Sequence, residues 1–106
     1  MTDLPDPTTL RLGDDEAKAV QHTRHRVTLD SMVTRIVDIE YIHPESIPHM
    51  TIAVVSVNNG FVLVGKSTPA DEQNFDEELG KKYAYEDALR QMWPLEAYLL
   101  RERMTL

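Results

Sequence analysis

The four histidines are the residues with the most evident catalytic potential in this sequence. His22 and His25 form an i, i+3 pair, while His43 and His49 border a proline-rich loop. Metal ligation by the pair would need further well-placed ligands, and histidines beside a loop are by default solvated or turn-stabilising. The sequence also lacks a nucleophile elbow, a Walker loop, a dinucleotide fingerprint and a zinc-protease helix. We therefore expect no enzymatic activity, no metal and no cofactor.

A cluster of carboxylates precedes the C-terminal part of the chain. Its members are Asp71, Glu72, Asp76, Glu77 and Glu78. Such a cluster can suggest a divalent cation, but it lacks the alternating ligands and central glycine of a calcium loop. The alternative is that Asp76, Glu77 and Glu78 occupy the first turn of a helix, where negative charge suits the positive end of the helix dipole. We favour the helix.

Six of the eleven lysines and arginines fall in three pairs, which is notable in an acidic chain. The pairs are Arg24 with Arg26, Lys81 with Lys82, and Arg101 with Arg103. Guanidinium groups bind phosphate bidentately, so the pairs can form local anion pockets where symmetry brings subunits together. The alternative is ordinary ion pairing with the many carboxylates. The residues alone favour ion pairing without excluding the pockets.

Composition limits the classes of protein further. A length of 106 residues favours one domain, and 42% hydrophobic with 27% charged residues is typical of a globular fold. The net charge of −7 opposes non-specific binding to DNA, RNA or anionic lipid. Zero cysteines exclude disulfides and thiolate chemistry. With no membrane-spanning stretch and no signal-peptide pattern, we expect a cytoplasmic protein.

The sequence of the N-terminal half predicts a tail followed by a helix. Prolines, Gly13 and several acidic residues interrupt any periodicity over residues 1–21, which predicts a mobile acidic tail before a single domain over residues 22–106. Thr28 is a suitable N-cap. The apolar stripe from Leu29 to Val37 predicts a first helix of about three turns that ends by His43.

A β-hairpin follows the first helix. Asn59-Gly60 separates two β-branched runs and favours a type I′ turn, because both residues tolerate a positive φ. Both strands are almost continuously apolar, which predicts that both faces are covered. The helices can shield one face, so the other would be an exposed apolar patch or a subunit interface. Extra strands from a partner chain would stabilise the hairpin.

A long helix completes the prediction, with Asn74 as its cap. Gly80, Ala84 and Ala88 recur every four residues, and they form either a groove for a close neighbour or a weak point in the helix. Pro94 predicts a break or kink. The expected fold is α+β: an antiparallel hairpin packed against a short N-terminal helix and a long kinked C-terminal helix, with sheet and core completed by oligomerisation.

Four motifs occur in an order that resembles one protein family. They are Asn59-Gly-Phe-Val-Leu-Val-Gly-Lys-Ser, Asn74-Phe-Asp-Glu-Glu-Leu-Gly-Lys-Lys, Ala84-Tyr-Glu-Asp-Ala and Trp93-Pro-Leu-Glu-Ala-Tyr-Leu-Leu. The chain resembles the small phage proteins named after gene forty-nine of coliphage N-four and gene sixty-six of Shigella phage S-f-six. The resemblance extends to phage Thoeris anti-defence protein one, a sponge for cyclic ADP-ribose isomers. It implies a hexamer built from dimers, in the cytoplasm of the infected host.

The resemblance also implies a set of ligand-binding residues. Arg26 and Arg101 would clamp a pyrophosphate, Phe75 would stack on adenine, and Asn74 and Asp87 would hydrogen-bond to sugar or base edges. Lys81 and Lys82 would line a second site for cyclic oligonucleotides. Phe75 has an alternative interpretation as the first core residue of its helix. The alternative function is a small oligomeric accessory protein that binds a host protein and no nucleotide.

Overall fold

The computed structural model describes residues 4–105 and confirms the α+β class. Its elements in chain order are α1 (Thr8–Ala19), α2 (Leu29–Arg35), β1 (Ile36–Ile42), β2 (Thr51–Val57), β3 (Val62–Ser67), a 3-10 turn (Glu72–Asn74) and α3 (Glu77–Met104). No helix in this part of the chain is long and apolar enough to cross a bilayer.

The first predicted helix is shorter than its apolar stripe suggests. Thr28 is confirmed as the cap, because its hydroxyl accepts from the Ser31 N–H at 3.1 Å. The helix ends at Arg35, however, and the chain continues as β1, which pairs antiparallel with β2. β1 is rich in β-branched and aromatic residues, which suit a strand that has a partner available. The sheet therefore gains its third strand from the same chain and not from a partner.

The hairpin is confirmed, but its turn is not type I′. Gly60, at φ 91°, is the only residue with a positive φ among those described, so Asn59 does not take the conformation that type I′ requires. The Gly60 N–H donates to the Val57 carbonyl at 2.9 Å, and the Val57 N–H donates to the Phe61 carbonyl at 3.0 Å. This is the pattern of a type I turn followed by a left-handed glycine.

The inner face of the sheet packs against α3 with very little space between the backbones. A Cβ on Gly65 of β3 would overlap the carbonyl oxygen of Ala84 and lie 2.5 Å from the Ala88 nitrogen. A Cβ on Gly80 would lie 2.5 Å from the Thr51 hydroxyl oxygen. The small residues of the long helix therefore form the predicted groove for a close neighbour, and that neighbour is the chain's own sheet.

The outer face of the sheet remains open in the single chain. Val62 and Val64 are 49% and 52% exposed, and Phe61 beside them is 52% exposed. On β1 the same face carries Asp38 and Glu40, opposite Ser56 and Val54. The prediction that one face is shielded and the other is not is confirmed. Its use as a subunit interface stays a prediction.

The N-terminal region differs from the expected tail, because Thr8–Ala19 form a helix. Two carboxylates attach this helix to the domain. Asp14 of α1 is 8% exposed and accepts from the Leu29 N–H at the start of α2. Glu86 of α3 is fully buried and accepts from the Thr9 N–H at the start of α1. Leu10 also packs against the core, but prolines, Gly13 and acidic residues surround it in the sequence, so the pattern did not reveal the helix.

The long helix starts two residues later than predicted and continues through its proline. Asp76 is the cap, since its side chain accepts from the Leu79 N–H at 2.9 Å, whereas Asn74 ends the 3-10 turn. Of the predicted break or kink at Pro94, the break is wrong, because α3 is one element, and the kink stays a prediction. Pro94 and Arg90, whose carbonyl loses its partner, are both exposed, so water can replace the missing hydrogen bond.

Candidate functional site

Arg26 and Arg101 lie on the walls of one cavity, as the resemblance implies. The cavity has a volume of about 350 Å³ and lies between the end of α1, the segment before α2 and the last turns of α3. Its other walls include His25 and the apolar side chains of Val27 and Trp93. We call it the arginine cavity. It joins guanidinium groups to an apolar wall, a combination that suits a phosphate attached to an aromatic base.

A flanking cleft extends the positive surface. This cleft of about 260 Å³ shares Arg26 with the arginine cavity and adds Arg35 and Arg103. The two depressions together bring four guanidinium groups to one end of a chain whose net charge is −7. An anionic ligand would therefore be drawn to this end of the molecule.

Two of the four arginines already have carboxylate partners. Arg26 donates to Asp14 at 2.8 Å, and the two side chains are only 17% and 11% exposed. Arg35 Nε lies 3.1 Å from Glu96 Oε2. Within residues 4–105, Arg101 and Arg103 have no carboxylate within 4.0 Å. They are also exposed, so they are free to bind an anion.

The ion pair with Arg26 changes the titration of Asp14. Burial by itself would raise the pKa of Asp14, but the hydrogen bonds from Arg26 and from the Leu29 N–H outweigh it and hold that pKa below its usual value. Asp14 is therefore ionised near neutral pH and remains a competitor for the guanidinium of Arg26. The sequence does not reveal this carboxylate, because the pattern over residues 1–21 predicts a tail.

Asn74 and Phe75 lie at the opposite end of α3 from the arginine cavity. The Phe75 ring is half-buried and meets the His43 ring edge-on, with centroids 5.8 Å apart. Phe75 precedes the helix, so it is not the helix's first core residue. From Glu77 to Arg101 the helix rises by about 36 Å. One small ligand therefore cannot touch Phe75 and Arg101 of the same chain.

Asp87 has a structural contact at the edge of the sheet. Its carboxylate accepts from the Lys66 N–H at 2.9 Å, and one turn later the Gln91 amide donates to the Val64 carbonyl at 2.8 Å. Both bonds occupy backbone groups on the free edge of β3, which discourages pairing with another strand. The ligand role of Asp87 stays a prediction, and a ligand would have to compete with Lys66 for this carboxylate.

Lys81 and Lys82 line a separate cavity of about 620 Å³, which we call the lysine cavity. The Lys81 ammonium lies 5.5 Å from the centroid of the Tyr41 ring and 3.9 Å from Glu77. The chain before α1, including Asp6, forms another wall. The lysine cavity is therefore mixed in charge, unlike the arginine cavity.

Metal binding finds no support among the residues that the structure describes, since no group of three or more histidines and carboxylates is arranged to hold an ion. Members of the acidic cluster instead cap local structure. Asp71 accepts from the Gln73 N–H at 2.9 Å, and Asp76 caps α3.

Residues 20–104 match the family model described as the phage protein (N4 Gp49/phage Sf6 gene 66) family. The chain belongs to this family, as its motifs predicted. No curated protein and no solved structure matches the chain. The matched region contains every lining residue of the flanking cleft and all those of the arginine cavity except Ala17, and it begins after the last residue of α1.

Proposed function

We propose that this phage protein binds and sequesters a cyclic ADP-ribose-type signalling nucleotide and thereby inhibits Thoeris immunity. The arginine cavity is the observation that carries the proposal. Arg101 is exposed and unpaired within residues 4–105, Arg26 lies on the same cavity, and an apolar wall with Trp93 stands beside them. A pyrophosphate would bind to the guanidinium groups while a base packs against the apolar wall.

Sequestration without hydrolysis fits the residues of this cavity. Among its lining residues within the described chain, there is no carboxylate, hydroxyl or thiol, and His25 is the only imidazole. Hydrolysis by general acid–base or nucleophilic catalysis needs a second group placed against the reacting atom. The cavity therefore favours a binding protein over a hydrolase.

A complete site on this proposal needs more than one subunit. Phe75 lies just before α3, which rises by about 36 Å from Glu77 to Arg101. A ligand that stacks on Phe75 and is clamped by Arg101 must therefore lie between two chains. The open outer face of the sheet, with Val62 and Val64 about half exposed, supports such association. We propose a hexamer built from dimers, with the lysine cavity as a second site for cyclic oligonucleotides.

Calorimetry with cyclic ADP-ribose isomers tests the proposal. After titration, the complex is denatured and the released ligand is examined by chromatography and mass spectrometry. Binding with intact ligand supports the sponge, whereas altered ligand identifies an enzyme. No binding favours the alternative function, an oligomeric accessory protein whose exposed sheet face contacts a host protein.

Arg101→Ala identifies the residue that clamps the phosphate. Losing a charge-assisted hydrogen bond costs about 1.5–3 kcal/mol, so the affinity for the cyclic nucleotide should fall about tenfold or more. Arg90→Ala is the matched control, since Arg90 is exposed on the same helix and lines neither the arginine cavity nor the flanking cleft. Equal affinities for the two variants would reject the role of Arg101. Sedimentation as a 12.2 kDa particle would contradict the intersubunit site.

A further inference from the structure

The N-terminal segment touches both candidate cavities. Ala17, near the end of α1, lines the arginine cavity, and four residues at the other end of the segment line the lysine cavity, namely Leu4, Pro5, Asp6 and Thr8. This segment lies before residue 20, where the family match begins. It therefore lies outside the region that the family model matches, and it lies directly against the surfaces that would bind anions.

Two buried carboxylates hold α1 in place, and one of them uses a candidate ligand-binding residue. At the start of α1, the fully buried Glu86 accepts from the Thr9 N–H at 2.9 Å. At the other end, Asp14 Oδ1 accepts from the Arg26 guanidinium at 2.8 Å and from the Leu29 N–H at 3.0 Å. In this second contact, a carboxylate of α1 is bound to Arg26, which lines the arginine cavity.

The guanidinium of Arg26 has little capacity left while α1 is docked. One terminal nitrogen donates to Asp14, and Nε donates to the Gln21 side chain at 2.8 Å. A phosphate that binds a guanidinium bidentately needs two adjacent N–H groups in one plane. A phosphate can approach a guanidinium along the edge that contains Nε or along the edge between the two terminal nitrogens. At Arg26 one nitrogen of each edge already donates to a protein acceptor, so an incoming phosphate would compete with Asp14.

We propose that α1 is an autoinhibitory latch, in which the Asp14 carboxylate occupies Arg26 in place of an anionic ligand, so that anion binding in the arginine cavity and docking of α1 oppose each other. The inference rests on the proposed function in one respect, namely that the arginine cavity binds an anion. Because the coupling is reciprocal, an anion that displaces Asp14 must loosen α1, and a weakened latch must strengthen anion binding.

The test uses the full-length protein and inorganic pyrophosphate as the probe. Asp14→Asn removes the charge of the latch while keeping its size, and Asp15→Asn makes the same change of charge at the exposed neighbouring residue. We expect Asp14→Asn to bind pyrophosphate about tenfold more tightly than Asp15→Asn, which corresponds to one charge-assisted hydrogen bond. Equal affinities, or weaker binding by Asp14→Asn, would overturn the latch.

A second measurement needs no substitution. In the wild-type protein, saturating pyrophosphate should accelerate amide hydrogen exchange across residues 8–19 and at the Leu29 N–H, which loses its partner when Asp14 leaves. Unchanged or slower exchange in α1 contradicts the latch even if Asp14→Asn fails to fold. Absence of pyrophosphate binding in every variant contradicts it as well.

The two proposals fail in different ways. Tighter pyrophosphate binding by Asp14→Asn without any affinity for cyclic ADP-ribose isomers would support the latch and reject the nucleotide sponge. Cyclic ADP-ribose binding that is equal in Asp14→Asn and Asp15→Asn, together with equal pyrophosphate affinities, would support the sponge and reject the latch.

Discussion

Gly65→Ala is the substitution with the largest expected effect on the fold. The added Cβ would overlap the carbonyl oxygen of Ala84 and lie 2.5 Å from the backbone nitrogen of Ala88. Both are backbone atoms of α3, so no side chain can rotate to relieve the contact. The helix would have to move away from β3, and with it the residues that line the candidate cavities.

The magnitude follows from the cost of overpacking a core, which is about 1–3 kcal/mol. Because rigid backbone resists the new methyl group, we expect about 3 kcal/mol, the upper end of that range. For a domain of this size, such a loss lowers the melting temperature by about 12–24 °C. Urea titration followed by circular dichroism measures the free energy of unfolding directly.

Gly13→Ala is the matched control for the same chemical change. Nothing lies within 4 Å of the position that its Cβ would take, and Gly13 is within α1. Alanine favours a helix by about 1 kcal/mol over glycine, so stability should stay equal or rise. If Gly65→Ala loses less than about 0.5 kcal/mol, well below the range for overpacking, then β3 and α3 do not approach closely enough to exclude a Cβ at this position.

Two further predictions concern buried and hydrogen-bonded polar groups. Hydrogen bonds to the Met50 carbonyl and to Glu77 raise the pKa of His43 above its usual value of 6.5. The contribution of His43 to the free energy of unfolding is therefore complete below pH 6.5 and is lost as the pH rises through the raised pKa. In the wild type, the urea concentration at the unfolding midpoint should decrease as the pH rises from about 6 to about 8. The decrease should be smaller in His43→Gln, and an equal decrease contradicts the assignment of this pH dependence to His43. Glu86→Ala leaves the Thr9 N–H without its partner, which costs about 1–3 kcal/mol, and should increase hydrogen exchange in α1, whereas Glu86→Gln should retain most of the protection. Equal exchange in the two variants would show that Glu86 does not hold the helix.

Sequence patterns that involve only residues close in the chain were sufficient to predict much of the fold. The cap at Thr28 and the hairpin, apart from its turn type, were predicted correctly, because each depends on residues close in sequence. For Gly80, Ala84 and Ala88 the sequence left a groove and a weak point open, and the close approach of the sheet decided for the groove. The switch from α2 to β1 was not predicted. Ile36 continues the helical stripe of α2 and is equally suited to a strand, and pairing with Val57 of β2 decides between them.

The candidate site, like the fold, was predicted from the sequence only in part. Arg26 and Arg101, which the resemblance assigns to one ligand, line one cavity, while their role in binding stays a prediction. The resemblance also grouped them with Phe75, which lies at the other end of α3. Sequence order alone does not reveal that separation until the helix is known to continue through Pro94. Nor does it show that Asp14 is bound to Arg26.

The sequence by itself determined the α+β class, the hairpin with its glycine turn, the helix that follows the acidic cluster, and the phage protein family. These properties depend on periodicity, turn chemistry and motifs, which are local in the chain. Only the tertiary structure decided that α1 exists, that Ile36–Ile42 form a strand, and that a carboxylate already occupies Arg26. Those outcomes depend on partners distant in sequence, where one buried ion pair or one strand partner outweighs the local preference of the segment.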